Sequence, residues 1–429
     1  MELSNKSITL TCVDLSSTGE GVCDYEGYKI FVDGVLPGEE IECRLIEKKR
    51  NYGKGELIRI CKPSPSRTDP ICPYFGECGG CQIMHLKIEA QLALKKKRVK
   101  EAFMRIGGFE DIEVISIEPS DSALGYRNKI QMPLSKSGGL GMYKKRTHEI
   151  VDIESCFLHE KKGDTLFTKI RKLNLQGITH LLIRSSKAAG KSLVLLVGQK
   201  KKSKEIVNLC REIGKFEEVA TVVYGVNQGQ SNYVLPKEVE SIVGPGYIME
   251  QVLGIQVRLS ATSFFQVNHS QAEKMYETAL EWGEIKEGMP VVDAYSGVGV
   301  LSCLLAKRGA RVTAIEVILQ AVLDARQNAK DNGLELEAKV GTVEKIIQSI
   351  DPAEVVYLNP PRKGCEETVL DAVAKMKPSK IIYTSCDPAT LARDAKSLSE
   401  KGYRVAKVKA FDLFPQTMHV ETICLFVKI

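Results

Sequence analysis

The chain has 429 residues, of which 43% are hydrophobic and 27% charged, and this balance excludes a low-complexity chain. No window of about 18 apolar residues occurs, so we expect no membrane-spanning helix. The 13 cysteines, with no export signal before them, argue against a disulfide framework and favour metal binding or catalysis in a cytoplasmic protein. At ~100–200 residues per domain, the length predicts two to four domains.

Residues 1–62 alternate short strand-like runs with Gly, Asp and Pro turns, as in ITLTCVDL, YKIFVDG and IECRLIEKK. This spacing predicts a small β-barrel of about five strands. Gly19, Gly21 and the VLPGE turn make the segment similar to the TRAM domain, an OB-like RNA-binding module. A barrel with a purely structural role is the alternative. The run KPSPSRTDP at 62–70 is predicted to be a linker.

Residues 71–255 mix helical and strand-like patterns and are predicted to form an α+β domain. The helical stretch LKIEAQLALKKKRVKEAFMRIG has apolar residues at 88, 92, 99, 103 and 106, and Gly107-Gly108 ends it. Between His85 and His148 the chain has 13 Lys and Arg against 7 Asp and Glu, an excess equal to the net charge of +6 of the whole chain. We interpret this stretch, with Lys95-Lys96-Lys97-Arg98, as an RNA-facing surface; a solvated helix face is the alternative.

Four cysteines of this central part have the spacing of a metal site. Cys72, Cys78 and Cys81 lie close together among Pro and Gly turns, and Cys156 follows far downstream. Four thiolates can hold zinc or an iron–sulfur cluster, and the spacing alone leaves both possibilities open. Thiols without a ligand are the third interpretation.

From residue 256 onwards strands alternate with helices. This pattern predicts a Rossmann-like, doubly wound parallel sheet over 256–429, with ligands at the carboxyl ends of its strands. One strand runs into the turn DAYSGVG, at 293–299, whose glycines allow the backbone to approach a ligand. The next strand ends at Glu316, where a carboxylate can accept both hydroxyls of a ribose. The combination favours S-adenosylmethionine over NAD.

Two further strand ends point to the chemistry. One strand ends in Asn359-Pro360-Pro361-Arg362, and the next ends at Cys386. A thiolate beside a methyl donor suggests methylation of carbon 5 of a pyrimidine, because addition of sulfur to carbon 6 makes carbon 5 a nucleophile. A base must then remove the proton on carbon 5, and Glu421 in FPQTMHVET is the predicted base, ahead of His419.

The position of Cys386 at the mouth of a strand, before a helix, predicts a lowered pKa for its thiol. Asn-Pro-Pro also occurs in amino-methyltransferases, where it holds a target amino group together with an aromatic residue. Here the fourth residue is Arg362, which cannot supply that aromatic wall. Methylation of an amino group therefore remains an alternative of the same enzyme class.

YTSCDPATLARD, LNPPRKG, FFQVN and FPQTMHVET resemble motifs of the RNA 5-methyluridine methyltransferases, over nearly the whole chain. The resemblance implies a multidomain α/β enzyme with a TRAM barrel, a central RNA-binding domain and an S-adenosylmethionine-dependent methyltransferase domain. It implies that Cys386 is the nucleophile and Glu421 the base. The implied contacts of the methyl donor are Gln266, Tyr295, Glu316 and Asn359.

The family motif usually reads Asp-Pro-Pro-Arg and then Cys-Asn-Pro. In this chain the acid and the amide are exchanged, as Asn359 and Asp387. The local charge is kept, and the exchange is compensatory if the two side chains are neighbours. The departure concerns the contacts of the donor and the uracil rather than the chemistry.

The run CPYFGECGGC resembles the family's iron–sulfur motif. The resemblance implies a structural 4Fe-4S cluster held by Cys72, Cys78, Cys81 and Cys156. Family members with both a TRAM domain and the cluster act mostly on 23S ribosomal RNA, and the T-loop of transfer RNA is the alternative target. The alternative of another class is a non-catalytic iron–sulfur RNA-binding protein. We expect a monomer that binds RNA and no membrane.

Overall fold

The computed structural model describes residues 7–112, 114–135, 137–228, 234–236 and 238–429. The strands are β1 Ser7–Leu15, β2 Gly21–Tyr25, β3 Tyr28–Val32, β4 Glu40–Lys48, β5 Tyr52–Lys62, β6 Val114–Glu118, β7 Lys129–Pro133, β8 Gly141–Tyr143, β9 Ile150–Asp152, β10 Ile178–Ser185, β11 Ser192–Gly198, β12 Val219–Val226, β13 Val239–Val243, β14 Tyr247–Val252, β15 Ile255–Ser260, β16 Pro290–Ala294, β17 Arg311–Glu316, β18 Glu337–Val340, β19 Val355–Leu358, β20 Lys380–Ser385, β21 Tyr403–Phe411 and β22 Glu421–Lys428.

The α-helices are α1 Ile88–Ala102, α2 Lys161–Ile170, α3 Lys204–Ile213, α4 His269–Gly283, α5 Val300–Lys307, α6 Leu319–Asp331, α7 Val343–Ile346, α8 Glu367–Met376 and α9 Pro388–Glu400. A π-helix, Phe103–Gly107, continues α1, and a 3-10 turn, Ile347–Ser349, continues α7. Gly108 ends the π-helix in a left-handed conformation, as the sequence predicts. Within the described ranges, each helix is too short or too polar to cross a membrane.

The chain divides into two compact units. The first unit comprises Met1–Leu94, Met142–Val151 and Phe414–Met418, and the second comprises Lys95–Gly141, Asp152–Leu413 and His419–Ile429. The second unit therefore contains most of the predicted central segment together with the predicted methyltransferase segment.

A closed five-stranded barrel, in the order β1-β2-β3-β5-β4, forms the centre of the first unit. Its strands have alternating sequences, and every second side chain of β1 and β4 points into the barrel. The buried residues are aliphatic side chains and thiols: Leu10, Cys12, Cys23, Ile30, Val32, Val35, Ile41, Cys43 and Leu45. The predicted OB-like barrel is confirmed.

The second unit contains a large mixed sheet in the order β18-β17-β16-β19-β20-β22-β21-β6. Its paired strands are parallel except at β22, which runs antiparallel to both β20 and β21. The doubly wound fold is confirmed, with one addition. The edge strand β6 comes from residues 114–118, far before residue 256, so the sheet is not built from 256–429 alone.

A second sheet of this unit has the order β13-β12-β11-β10-β7 and combines one parallel pair with antiparallel pairs. With α2 and α3 it gives the predicted α+β character. Asn128 directly precedes β7, and its N–H donates a hydrogen bond to Val267 O, in the loop before α4, at 2.8 Å. This contact places the α+β sheet next to the carboxyl edge of the large sheet.

The helix α1 corrects the interpretation of the basic run. Lys95 is fully buried, and its Nζ lies 2.5 Å from Oδ1 of Asp412, which is also buried. Lys95 follows Leu92 by three residues and precedes Val99 by four, so it lies on the apolar face of the helix. Lys96 and Lys97 are exposed. The prediction that Lys95 faces RNA is therefore wrong.

Candidate active site

Cys386 lies in the short connection between β20 and α9, at the carboxyl edge of the large sheet. The connection is held by hydrogen bonds on both sides of the thiol. The Ser385 hydroxyl donates to Asp387 O at 3.0 Å and accepts the Asp387 N–H at 3.1 Å. The Asp387 carboxylate caps α9 by accepting the N–H groups of Ala389 and Thr390, at 2.8 and 3.4 Å. The thiol therefore sits on a fixed backbone.

Glu421 begins β22, the antiparallel neighbour of β20. In the register of this pair Ser385 lies opposite Thr422, the last pair at this end of the ladder. Cys386 follows Ser385 and Glu421 precedes Thr422, so both residues lie next to that last pair. The structure thus brings together the predicted nucleophile and the predicted base, and the charge of Glu421 acts on the thiol of Cys386.

Burial controls the protonation of both groups. It raises the pKa of the Glu421 carboxyl to about 7, against the opposing charge of Arg362. Burial also raises the pKa of the Cys386 thiol to about 11; Glu421 adds to the rise and Arg362 opposes it. The predicted lowering of this pKa is wrong, because desolvation and the nearby Glu421 carboxylate raise the pKa by more than the helix N-terminus lowers it. The thiol keeps its proton near neutral pH.

Arg362, which the sequence motif showed only as a replacement for an aromatic residue, also lies at this site. It follows Asn359-Pro360-Pro361 at the end of β19, and its guanidinium favours the ionised forms of both Cys386 and Glu421. Its Nη2 lies 3.5 Å from Nε2 of His419. Burial lowers the pKa of His419 to about 4, and Arg362 adds to this effect, so His419 is neutral at physiological pH. The signal in the sequence was a cation placed directly after two prolines.

Three of the four predicted donor contacts share one cavity. Gln266, Tyr295 and Asn359 line it, together with Asp293 and Thr384. Tyr295 has a φ of 64°, which is rare for a residue with a side chain, and begins the turn that also contains Gly297 and Gly299 at φ of 55° and 76°. The positive φ angles let the backbone of this turn fold closely beside the cavity, and the turn is held by internal hydrogen bonds, since the N–H groups of Ser296 and Gly299 donate to Ile315 O and Ser296 O, both at 3.0 Å.

Glu316, the fourth predicted contact, lies beside this turn. Its carboxylate accepts the Gly297 N–H at 3.0 Å and the Ile318 N–H at 2.9 Å. An ionised carboxylate has about four acceptor positions, so two remain for the hydroxyls of a ribose. The chemistry of this edge of the sheet therefore fits a nucleoside whose base and sugar lie along β16 and β17.

Asp293 lies near the end of β16, before this turn, and lines the cavity; the sequence prediction did not select it as a donor contact. It is buried, and the Ser302 hydroxyl of α5 donates to its Oδ2 at 2.5 Å. Burial raises its pKa to about 7, and the nearby charge of Glu316 adds to the rise. A carboxyl at a strand end directly before a Gly-rich turn was the available signal.

Asn359 and Asp387 occupy different surroundings. Asn359 follows β19 and lines the donor cavity, whereas the Asp387 carboxylate is directed at the first N–H groups of α9. Asn and Asp cap helices about equally well. Capping is therefore compatible with either residue at 387, and the compensation between the two positions stays a prediction.

Three of the four predicted metal ligands lie in the first unit, and the fourth lies in the second. Cys72, Cys78 and Cys81 follow one another on turns of the first unit, and each is partly exposed. Cys156 belongs to the second unit, where its N–H donates to Asp164 Oδ1 at 2.8 Å and burial raises the pKa of its thiol. In the part of the chain that the structure describes, no group of three or more Cys, His, Asp or Glu side chains is arranged to hold a metal ion.

Three family models match segments of the chain. One described as tRNA (Uracil-5-)-methyltransferase matches residues 342–429, one described as Methyltransferase small domain matches 278–379, and one described as TRAM domain matches 5–58. The first contains Cys386 and Glu421, and the last corresponds to the barrel.

Relatives match over nearly their full length. An uncharacterized RNA methyltransferase of Clostridium tetani is 36% identical over 98% of this chain and 96% of its own length. Another from Bacillus cereus is 34% identical over 99% of this chain and 97% of its own. The crystal structure of a tRNA (uracil-54, C5)-methyltransferase of Pyrococcus abyssi, in complex with S-adenosyl-L-homocysteine, covers 98% of this chain and 100% of its own, with 27% identity and a TM-score of 0.78.

Proposed function

Because the chain belongs to the RNA (uracil-5-)-methyltransferase family, we propose that it methylates carbon 5 of a uridine in 23S ribosomal RNA, with Cys386 as the nucleophile and Glu421 as the base. It is an S-adenosylmethionine-dependent enzyme. The observation that carries the proposal is that Cys386 and Glu421 adjoin the last residue pair of β20 and β22, where the charge of Glu421 acts on the thiol, at the sheet edge that also holds the donor cavity.

In this proposal the thiol of Cys386 gives its proton to water, its sulfur forms a bond to carbon 6 of the uracil, and the electrons of the ring double bond move toward the carbonyl oxygen at position 4. Carbon 5 then becomes a nucleophile. S-adenosylmethionine, when bound, supplies a methyl group on a positively charged sulfur. Glu421 removes the proton from carbon 5, the double bond forms again, and the bond from carbon 6 to sulfur breaks.

Each remaining residue has a defined part in this proposal. Gln266, Tyr295 and Asn359 would hold the donor in the cavity, and Glu316 would accept hydrogen bonds from its ribose. Arg362 favours the thiolate of Cys386, whose proton must leave before the sulfur attacks. The half-buried position of the thiol requires that the uridine leaves its stack in order to reach it.

The target RNA has two candidates. Ribosomal RNA is proposed from the combination of a TRAM barrel with the cysteine motif. Transfer RNA is the second candidate, because the Pyrococcus abyssi enzyme, which by its title acts on uracil 54 of tRNA, aligns over 98% of this chain. In both cases we propose three functional parts: the barrel at 1–62, the central RNA-binding segment at 71–255 and the methyltransferase segment at 256–429.

We also propose that Cys72, Cys78, Cys81 and Cys156 hold a 4Fe-4S cluster with a structural role. The proposal is supported by the cysteine spacing and by the partial exposure of the four side chains. Its test is the metal content of protein purified without oxygen. About four irons per chain support it; one zinc without iron would show a zinc site instead.

The target is tested by mass spectrometry of ribosomal and transfer RNA from a strain that lacks the gene. We expect one or more 5-methyluridines of 23S ribosomal RNA to disappear and to return with the wild-type gene, but not with a Cys386→Ala gene. Loss confined to the T-loop of transfer RNA would establish the second candidate. Unchanged 5-methyluridine in both RNAs would contradict the proposed function.

A further inference from the structure

Three cationic side chains lie together beneath the loop that carries Gln266. Lys129 begins β7, and Arg184 of β10 lies directly opposite it in the antiparallel pair, so both side chains share one face. Arg127 lies two residues before Lys129. Arg184 is 1% exposed, and its Nη2 donates to Ser263 O in the loop. The Asn128 side chain donates to Gln266 O at 3.0 Å, which fixes the same loop from the same segment.

These cations have few partners. In the described part of the chain, Nε and Nη1 of Arg184 and Nε of Arg127 are buried without a hydrogen bond. The charged groups that act on Lys129 are the two arginines, and together with burial they lower its pKa to about 7. Asp324 is the carboxylate that acts on Arg184.

Asp324 is already engaged. Its oxygens accept the hydroxyls of Ser260 and Ser263, at 2.9 and 2.7 Å. One engaged carboxylate does not neutralise the two arginines, and the lowered pKa of Lys129 means that this lysine carries a full charge near neutral pH only when an anion lies beside it. Buried charges are costly unless an opposite charge and hydrogen bonds compensate them. The arrangement is therefore built for an anion that the chain does not itself supply.

The position of the cluster distinguishes between two anions. None of the three cations lines the cavity of Gln266, Tyr295 and Asn359, so the carboxylate of the methyl donor is the less suitable ligand. Arg127 also acts on His419, which lies against Arg362 beside Cys386. The charge of the cluster thus reaches the group of His419 and Arg362, and the charge of Arg362 in turn acts on Cys386, to which the target base must come.

We propose that Arg127, Lys129 and Arg184 bind a backbone phosphate of the RNA next to the target uridine. The inference rests on the proposed function in so far as the ligand is RNA. Arginine presents a planar set of N–H donors to phosphate oxygens, and phosphate contacts position a nucleic acid without reading its sequence. A phosphate held here would fix the backbone from which the uridine turns toward Cys386.

The test replaces Lys129 by methionine, which keeps the volume and removes the charge. We would measure the affinity for a fluorescein-labelled RNA hairpin with a uridine-rich loop across a salt series. We expect the affinity to fall about tenfold and the salt slope to fall by about 0.7–0.9, as expected when the protein binds one phosphate fewer. The affinity for S-adenosylhomocysteine, measured by calorimetry, should not change. Lys330→Met, which removes an exposed lysine at the end of α6, is the matched control and should change neither quantity.

The melting temperature of the RNA-free protein distinguishes an RNA-binding role of Lys129 from a structural one. A structural role predicts that Lys129→Met lowers the melting temperature. Since Lys129→Met removes an amino group whose charged form is disfavoured by the two arginines, the melting temperature should stay the same or rise. Loss of stability with an unchanged salt slope, in both Lys129→Met and Arg127→Gln, would overturn the proposal. A loss of S-adenosylhomocysteine affinity with unchanged RNA affinity would also overturn it and assign the cluster to the donor carboxylate. The assay requires no methyl transfer, so its result is independent of the product analysis.

Discussion

Replacement of Lys95 by methionine should destabilise the second unit strongly. Lys95 is fully buried and Asp412 is 1% exposed, and 2.5 Å separate Nζ of the lysine from Oδ1 of the aspartate. Removal of one partner of such a buried pair leaves an uncompensated charge and typically costs about 3–5 kcal/mol in the free energy of unfolding. Addition of Asp412→Leu removes the remaining charge, so the double variant should recover most of the loss.

Urea unfolding followed by tryptophan fluorescence measures this cost. The chain has one tryptophan, Trp282, which is buried in α4 of the second unit and so reports on that unit. The matched control is Lys96→Met on the same helix, where an exposed side chain should change stability by less than about 0.5 kcal/mol. If Lys95→Met is as mild as Lys96→Met, or if Asp412→Leu adds a further loss, the buried pair does not act as described.

The site and the cysteine motif lead to three further predictions. Cys386 should react with iodoacetamide with a midpoint near pH 11, read by peptide mass spectrometry. The midpoint should fall in Glu421→Gln, which removes the carboxylate that disfavours the thiolate, and rise in Arg362→Gln, which removes the cation that favours it; an unmoved midpoint would contradict the electrostatics. Lys96→Ala with Lys97→Ala should flatten the salt dependence of RNA binding by about 0.7–0.9 for each phosphate that is no longer bound, whereas an unchanged slope would make this helix face merely solvated. Cys72→Ser should lose iron and solubility together, because binding of the cluster and local folding are coupled; full iron content would exclude this residue as a ligand.

The sequence predicted the architecture where the hydrophobic period was clear. Alternation with period two gave the barrel, and strands alternating with helices gave the doubly wound sheet. The edge strand β6 was missed because it is five residues long and pairs with β21, far away in the chain, so no local pattern announces it. A run of four basic residues predicts a solvent-facing surface, but the helical position of Lys95 places it on the same face as Leu92 and Val99, where it is buried.

The same limits apply to the site. Residue types at strand ends predicted Cys386, Glu421 and the donor turn as site residues, but that Cys386 and Glu421 lie near each other depends on the antiparallel register of β20 and β22. The direction of the pKa shift of Cys386 depends on burial, which a sequence does not display. Unpartnered buried atoms, such as those of Arg184, become visible only once the surrounding elements are in place.

The central claim is that Cys386 forms a covalent bond to the RNA before Glu421 acts. The most direct measurement incubates Glu421→Gln with RNA and S-adenosylmethionine labelled in its methyl group, followed by a denaturing gel. We predict a protein–RNA band that carries the label, because attack and methylation proceed while the proton on carbon 5 cannot leave. The band should be absent when Cys386→Ala is added. Full methylation by Cys386→Ala, or no adduct with Glu421→Gln, would contradict the account and favour direct methylation of an amino group.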